Sequence, residues 1–139
     1  MKKKVLFICT HNSARSQMAE GYMNVKYGDR YEAFSAGTEV TRVHPMAIEV
    51  MKEIGIDISG HRSKLIDEFF GKGIETVVTV CDSAQKACPF FPGAQEVIHQ
   101  SFTDPSAFKG SDEEVRAGFH RVRDEMIRWI DATFGQKGA

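Results

Sequence analysis

Short apolar runs alternate along the chain with segments in which apolar residues recur at helical spacing. The runs are rich in β-branched and aromatic residues, which is typical of strands. They predict four strands, at Lys3–Cys9, Tyr31–Ser35, Glu75–Cys81 and Glu96–His99. The first and third contain nearly continuous apolar stretches, as expected of strands that are covered on both faces of a parallel sheet.

Helical periodicity fills most of the chain between and after these strands. It predicts helices at Ala14–Tyr27, Ala47–Ile54, Ser63–Phe70 and from Ser111 to Phe134. The last helix is the most clearly marked, because Ser111 and Glu114 have the spacing of a capping box and apolar residues follow at steps of three and four. The alternation predicts an α/β fold, a three-layer αβα domain over residues 1–139 with a four-stranded parallel sheet.

Composition and charge exclude several classes of protein. The 139 residues carry a formal net charge of −1 and 42% of them are hydrophobic, which are ordinary values for a globular protein. The near-neutral charge offers no basic stripe for nucleic acid, and no apolar stretch has the length of a membrane span or a secretory signal. We expect a soluble cytoplasmic protein with no nucleic-acid or membrane partner, and a monomer that needs no cofactor.

The segment that joins the first strand to the first helix carries the clearest chemistry. It reads Cys9-Thr10-His11-Asn12-Ser13-Ala14-Arg15-Ser16. Backbone N–H groups in such a loop, together with the helix N-terminus, form an anion site. Arg15 adds a planar fork for two oxygens of a tetrahedral anion, and Ser16 can donate its hydroxyl to Cys9, which favours a nucleophilic thiolate. The residues expected to hold the oxyanion are Thr10, His11, Asn12, Ser13, Ala14 and Arg15.

Several of these residues admit a second interpretation. A Cys-x5-Arg pattern alone is a weak signal, and Cys9 can also be an inert buried thiol, although the strand before it and the helix after it favour the nucleophile. Asn12 either pins the loop through its amide or is an ordinary turn residue. His11 is either a solvated loop residue, which we favour, or a residue that tunes the anion site.

Further candidate catalytic residues are Asp104, Cys81 and Cys88. Asp104 follows the fourth strand and can protonate a departing oxygen, although Asp-Pro is also a common turn. Cys9 and Cys81 both lie at the carboxyl ends of predicted strands, where such sheets bind ligands. Cys81 and Cys88 are separated by about 10 Å along the axis if their segment is helical, whereas a disulfide needs Cα atoms within about 7 Å. The pair therefore bonds only if this segment unwinds or loops, and the alternative is a buried Cys81 with an incidental Cys88.

In their order along the chain, these segments resemble the thioredoxin-coupled arsenate reductases, which share their fold with low-molecular-weight protein tyrosine phosphatases. The matching segments are Cys9–Gly21, Ser35-Ala36-Gly37, Asp57-Ile58-Ser59, Cys81 with Cys88-Pro89, and Asp104-Pro105. The resemblance implies that Cys9 attacks arsenate held by the loop and Arg15, with Asp104 as the acid. It also implies that Cys81 displaces arsenite from Cys9 and that Cys88 resolves the disulfide, leaving a Cys81–Cys88 bond for thioredoxin to reduce. Phosphate and sulfate are the expected analogues of the substrate.

The chain departs from this family at two places. Many members carry Gly where this chain has His11 and a further Cys where it has Ala14. Some members bind potassium through positions that match Asn12, Glu20 and Ser35 and an acidic residue, whose place is taken here by Lys64. We therefore expect no metal site, with the lysine occupying the place of the cation. A zinc site is not expected either, because no Cys-x2-Cys pair is present.

Two other functions compete with arsenate reduction. A low-molecular-weight phosphatase needs only Cys9, Arg15 and Asp104. The second and third thiols, and the absence of aromatic residues directly after Asp104-Pro105, argue against it. A non-catalytic oxyanion or redox sensor would bind without turnover. The reductant also stays open, since relatives linked to glutaredoxin or mycothiol exist.

Overall fold

A single parallel sheet organises the protein, as seen in a computed structural model that describes residues 2–82, 91–105 and 108–135. The strands are β1 (Lys3–Cys9), β2 (Tyr31–Gly37), β3 (Thr76–Thr79) and β4 (Glu96–His99), in the order β2-β1-β3-β4. The described helices are α1 (Arg15–Lys26), α2 (Pro45–Lys52) and α3 (Asp112–Phe134), with a 3-10 helix at Ile66–Phe69. The predicted α/β class and the four-stranded parallel sheet are confirmed.

The sheet is centred on β1, which pairs with β2 on one side and with β3 on the other. Its apolar run Val5–Ile8 is fully buried, as the continuous hydrophobic pattern predicts. Because the chain passes from one side of β1 to the other, the strand order reverses there. The carboxyl end of β1, with Cys9, therefore lies at the switch point where parallel sheets place their ligands.

Two of the predicted strands have different bounds in the structure. β2 continues beyond Ser35 to Gly37, because it pairs with β1 residue by residue as far as Cys9. β3 is shorter than Glu75–Cys81 and covers only Thr76–Thr79. Backbone hydrogen bonds still hold the chain just after β3, with Val80 N donating to Ile8 O at 2.9 Å.

The predicted helix at Ser63–Phe70 is wrong. Only Ile66–Phe69 is helical, and it forms a single 3-10 turn. The residues before it are drawn into extended backbone, because Leu65 forms a parallel bridge with Gly37 at the end of β2. The turn ends at Phe70, whose backbone is extended with a ψ of 131°, and Gly71 follows with a positive φ of 76°.

The other helices agree with the pattern except at their ends. α2 begins at Pro45 rather than Ala47, because Pro suits the first helical position and the His44 side chain caps the helix by accepting from Met46 N at 3.1 Å. α3 carries the predicted capping box of Ser111 and Glu114 and packs against α1 and α2. Within the described part of the chain, no helix is both long and apolar enough to cross a membrane.

Candidate active site

Asn12 holds the backbone of the loop between β1 and α1. It is fully buried and has a φ of +50°, a left-handed conformation that Asn adopts more readily than most residues. Its Nδ2 donates to Ser16 Oγ at 2.7 Å, and its Oδ1 accepts from Lys64 N at 2.8 Å. The side chain therefore ties the turn to α1 and to the segment before the 3-10 helix.

Gly37 lets β2 approach this loop closely. A Cβ at this position would lie 2.7 Å from Thr10 O and 2.8 Å from Asn12 N, distances that a real side chain does not tolerate. Gly37 N also donates to Lys64 O at 2.8 Å. The sequence Ser35-Ala36-Gly37 thus matters to the site because its last residue gives the loop room.

The Cys9 thiol faces Ser16 in the buried base of the loop. The distance from Cys9 Sγ to Ser16 Oγ is 2.9 Å. Because Asn12 Nδ2 already donates to the serine oxygen, the serine hydrogen is free to point at the sulfur. A Cys9 thiolate would accept that hydrogen bond.

Arg15 and Asp104 line the cavity above Cys9. The Arg15 guanidinium is largely buried and donates through Nη1 to Phe102 O at 3.1 Å. Its Nη2 lies 3.7 Å from Asp104 Oδ2. The small cavity between them is lined by Cys9, His11, Ser13, Ala14, Arg15 and Asp104. The geometry thus places a fixed cation and a carboxyl group over the thiol, where a compact tetrahedral anion would sit.

His11 has a fixed backbone and a ring at the protein surface. Its carbonyl oxygen accepts from Ser63 Oγ at 2.9 Å and from Thr41 Oγ1 at 3.1 Å. Its ring is half exposed, with Nε2 3.7 Å from a carboxylate oxygen of Glu39. The ring lines the mouth of the cavity, but the exposure supports the solvated interpretation.

Cys81 lies beside the same loop. The thiol is only 4% exposed, and its Sγ lies 3.3 Å from Thr10 Oγ1. A wider cavity of about 450 Å³ opens next to the small one, and both Cys81 and Arg15 line it. Two of the three cysteines considered in the sequence therefore border neighbouring cavities that share Arg15 and Asp104 in their walls. Cys88 lies outside the described residues.

A buried polar network beneath the loop contains residues that the sequence analysis did not single out. Gln17 donates to Asn12 O, to Asn12 Oδ1 and to Arg62 O, at 2.9 to 3.1 Å. Its Oε1 lies 3.0 Å from His61 Nδ1. No spacing pattern connects Gln17 with residues some 45 positions away, so only the folded chain shows this contact.

Lys64 reaches into this network at the place considered for a cation. Its Nζ donates to Arg62 O at 2.8 Å and lies 3.7 Å from Glu20 Oε1. Ser35 Oγ donates to the same carboxylate oxygen at 2.5 Å. Burial lowers the pKa of Lys64 from its usual 10.5, and the Glu20 charge acts in the opposite direction. Among the described residues, no group of three or more His, Cys, Asp or Glu side chains is arranged to hold a metal ion.

The fold and the loop together define a class of protein. Residues 4–136 match the low molecular weight phosphotyrosine protein phosphatase family, and the chain belongs to this family. The resemblance inferred from the sequence is thereby confirmed.

Within this family the chain is similar to proteins named as arsenate reductases. It is 46% identical to the arsenate reductase of Halalkalibacterium halodurans over 137 residues, which cover 99% of this chain and 98% of that protein. It also matches a solved arsenate reductase in its reduced state, with a TM-score of 0.79, 31% identity and coverage of 96% of this chain and 98% of the other. A thioredoxin-dependent arsenate reductase of Corynebacterium glutamicum matches with a TM-score of 0.69 and 25% identity, over 97% of this chain and 64% of that chain.

Proposed function

We propose that this protein reduces arsenate to arsenite through a relay of Cys9, Cys81 and Cys88, with thioredoxin as the reductant. The observation that carries the proposal is the second buried thiol. Cys81 Sγ lies 3.3 Å from the hydroxyl of Thr10, the residue that follows Cys9. A phosphatase has no need of a thiol at this place, whereas a reductase needs one within reach of the first.

The reaction begins with arsenate in the small cavity over Cys9. The loop N–H groups and Arg15 hold its oxygens, and the Cys9 thiolate attacks arsenic. An oxygen of arsenate leaves as water after taking a proton from Asp104, whose carboxyl group borders the cavity. A covalent Cys9–arsenic(V) adduct results, and no electrons have yet been transferred.

The second step reduces arsenic. The Cys81 thiolate attacks Cys9 Sγ, so that a sulfur–sulfur bond forms while the sulfur–arsenic bond breaks. The electron pair of the broken bond stays on arsenic, which passes from As(V) to As(III) and leaves as arsenite. The two thiols have then supplied the two electrons and are joined as a Cys9–Cys81 disulfide. The Thr10 hydroxyl, which faces Cys81 Sγ, can donate to the attacking thiolate.

The last steps return the enzyme to its starting state. The Cys88 thiolate attacks Cys81, which releases Cys9 and forms a Cys81–Cys88 disulfide. A dithiol reductant of the thioredoxin type then reduces this disulfide by the same exchange chemistry. The thioredoxin-dependent relative from Corynebacterium glutamicum supports this choice of reductant.

Hydrolysis of phosphate monoesters is the second candidate function. The family match supports it, since Cys9, Arg15 and Asp104 alone suffice for nucleophilic displacement at phosphorus. Phosphate and arsenate have nearly the same shape and charge, so we expect slow hydrolysis of a phosphate ester as a side activity. This activity needs neither Cys81 nor Cys88.

The deciding experiment follows arsenate-dependent oxidation of NADPH with thioredoxin and thioredoxin reductase. We expect turnover by the wild type and its loss in Cys81→Ser and Cys88→Ser, while hydrolysis of p-nitrophenyl phosphate persists in both variants as a control for the anion loop. Full arsenate turnover by both variants would contradict the relay. Rapid hydrolysis without arsenate turnover by the wild type would favour the phosphatase, and binding without either reaction would favour a sensor.

A further inference from the structure

A three-residue hydrogen-bonded chain lies next to Cys81 and takes no part in the steps above. His99, the last residue of β4, has Nδ1 2.8 Å from Thr79 Oγ1. Its Nε2 lies 3.0 Å from Asp82 Oδ1. Because Asp82 directly follows Cys81, this chain connects two strand ends to the residue beside the second thiol.

The hydrogen bonds of His99 restrain the Asp82 side chain, although that side chain is exposed to solvent. Thr79 is fully buried, so one ring nitrogen of His99 is anchored in the sheet. The Asp82 side chain is 74% exposed, and a carboxylate this exposed usually gains little from a single ion pair. Here the imidazole is already held in place, so that less side-chain freedom is lost when the carboxylate joins it.

The donor and acceptor properties of the two side chains determine which of them donates the hydrogen bond between His99 and Asp82. Asp82 Oδ1 only accepts hydrogen bonds when the carboxylate is ionised, so His99 Nε2 must carry the hydrogen and donate it. Nδ1 then accepts from the Thr79 hydroxyl in the neutral ring, or donates to it in the protonated ring. The bond to Asp82 is thus made in both protonation states of His99.

Both neighbours of Cys81 in the chain, Val80 and Asp82, are held by hydrogen bonds. Before it, Val80 N donates to Ile8 O at 2.9 Å, and Val80 O accepts from Phe102 N at 3.0 Å. After it, Asp82 is held by His99. The Cys81 backbone is therefore restrained from both directions, which limits where its sulfur can lie relative to Cys9.

We propose that His99 is a positioning residue for the thiol transfer, acting through Asp82 to keep Cys81 aligned with Cys9. This inference rests on the proposed relay. Attack on a sulfur atom requires close and aligned approach, and a displacement of about 1 Å can slow such a step about a hundredfold. His99 touches neither the anion loop nor Cys9 in this role, so its loss affects the second step and spares the first.

The test uses the Cys88→Ser variant as the parent, because oxidation then stops at the Cys9–Cys81 disulfide. His99→Asn keeps an amide near Nδ1 but is too short to reach Asp82, whereas His99→Gln places a donor near Nε2. Asp82→Ala removes the acceptor, and Asp82→Asn keeps an acceptor oxygen without the charge. Mass spectrometry measures disulfide formation in a single turnover with arsenate and, separately, with the two-electron thiol oxidant diamide.

We expect His99→Asn and Asp82→Ala to slow disulfide formation about tenfold with both oxidants, which corresponds to the loss of one charge-assisted hydrogen bond. His99→Gln and Asp82→Asn should stay within about threefold of the parent, because the donor and the acceptor are retained. Alkylation of Cys9 by iodoacetamide, and its protection by phosphate, should be unchanged in all four variants. These controls report on the anion loop alone.

Three results would overturn the inference. Disulfide formation at the parent rate in both His99→Asn and Asp82→Ala would show that the link does not position Cys81. Equal losses in His99→Asn and His99→Gln would show that Nε2 is not the contact that matters. A parallel change in Cys9 alkylation would show a general structural effect. A parent that forms the disulfide with diamide but not with arsenate would instead contradict the proposed function, and the diamide rates would still test His99.

Discussion

Ser16→Ala removes a hydroxyl that two other groups in the active site share. Ser16 Oγ lies 2.9 Å from Cys9 Sγ and accepts from Asn12 Nδ2 at 2.7 Å. All three side chains are buried, so water does not readily replace the lost partner. The substitution therefore weakens the thiolate and also leaves the Asn12 amide without this acceptor.

The contacts of Ser16 with Cys9 and with Asn12 determine the expected losses in rate and in stability. A hydrogen bond to a charged group contributes about 1.5–3 kcal/mol, which corresponds to a loss of about 10- to 160-fold in kcat/KM for the first step. The amide that loses its acceptor costs a further 1–3 kcal/mol or so of folding stability, since it is buried. We expect both losses together, because one oxygen atom serves both contacts.

The assay measures arsenate turnover with thioredoxin, hydrolysis of p-nitrophenyl phosphate, and unfolding in urea. Ser59→Ala serves as the control, because it makes the same chemical change in an exposed turn outside the active site. Both reactions use Cys9, so both should fall by a similar factor in Ser16→Ala. A variant that keeps wild-type rates would refute the reasoning, and so would one that loses arsenate reduction alone.

Two further predictions concern the surroundings of the loop. Lys64→Met removes the ammonium 3.7 Å from the Glu20 carboxylate, whose side chain is 14% exposed. We expect a loss of about 2–4 kcal/mol in unfolding free energy, partly restored by potassium chloride but not by choline chloride. His44 accepts from Met46 N through Nδ1, which requires that nitrogen to be unprotonated. Burial, more than any nearby charge, holds the His44 pKa below its usual 6.5. The unfolded chain therefore binds more protons between the folded-state pKa and pH 6.5, and stability should fall as the pH falls through this window. His44→Ser, which retains an N-cap, should reduce that fall, as urea unfolding over a pH series would measure.

Each of these two predictions has a result that would contradict it. A Lys64→Met variant as stable as the wild type in choline chloride would show that Glu20 does not depend on the lysine. An unchanged pH dependence of stability in His44→Ser would show that protonation of the helix cap is not responsible. An NMR titration of the His44 ring above pH 6.5 would contradict the direction of the pKa change.

The sheet could be predicted because each strand carries its own signal. β1 is a continuous apolar run, and it occupies the centre of the sheet where both faces are covered. The rule that ligands bind at the carboxyl ends of parallel strands then predicts that Cys9 and Cys81 lie at one edge of the sheet. The 3-10 turn at Ile66–Phe69 was not predictable in this way, because its residues also have helical spacing. Its form depends on the bridge between Leu65 and Gly37, a contact between distant parts of the chain.

The supports of the anion loop were less predictable than the loop itself. The sequence indicates Cys9 and Arg15 through their spacing, but Asn12 Oδ1 is held by Lys64 N, 52 residues away. Gln17 connects the loop to Arg62 over 45 residues. Local patterns thus indicate Cys9 and Arg15, because these two lie on one short segment. They do not identify the groups that hold it, which come together only when β2 and the segment after α2 pack against the loop.

In the proposed relay, the position of Cys81 is what separates reduction from hydrolysis in a site that otherwise suits both. Hydrolysis of a Cys9 adduct requires water to attack the central atom of the bound anion. Reduction requires a nucleophile to attack the sulfur of Cys9 from another side, and Cys81 borders the cavity adjoining the loop, beside Thr10. Only an arsenic adduct can accept the electron pair that this attack releases, because As(V) is reduced to As(III) far more readily than phosphate is reduced. We therefore expect the same loop to serve both hydrolysis of phosphate esters and reduction of arsenate, with the second thiol needed only for the substrate that can take two electrons.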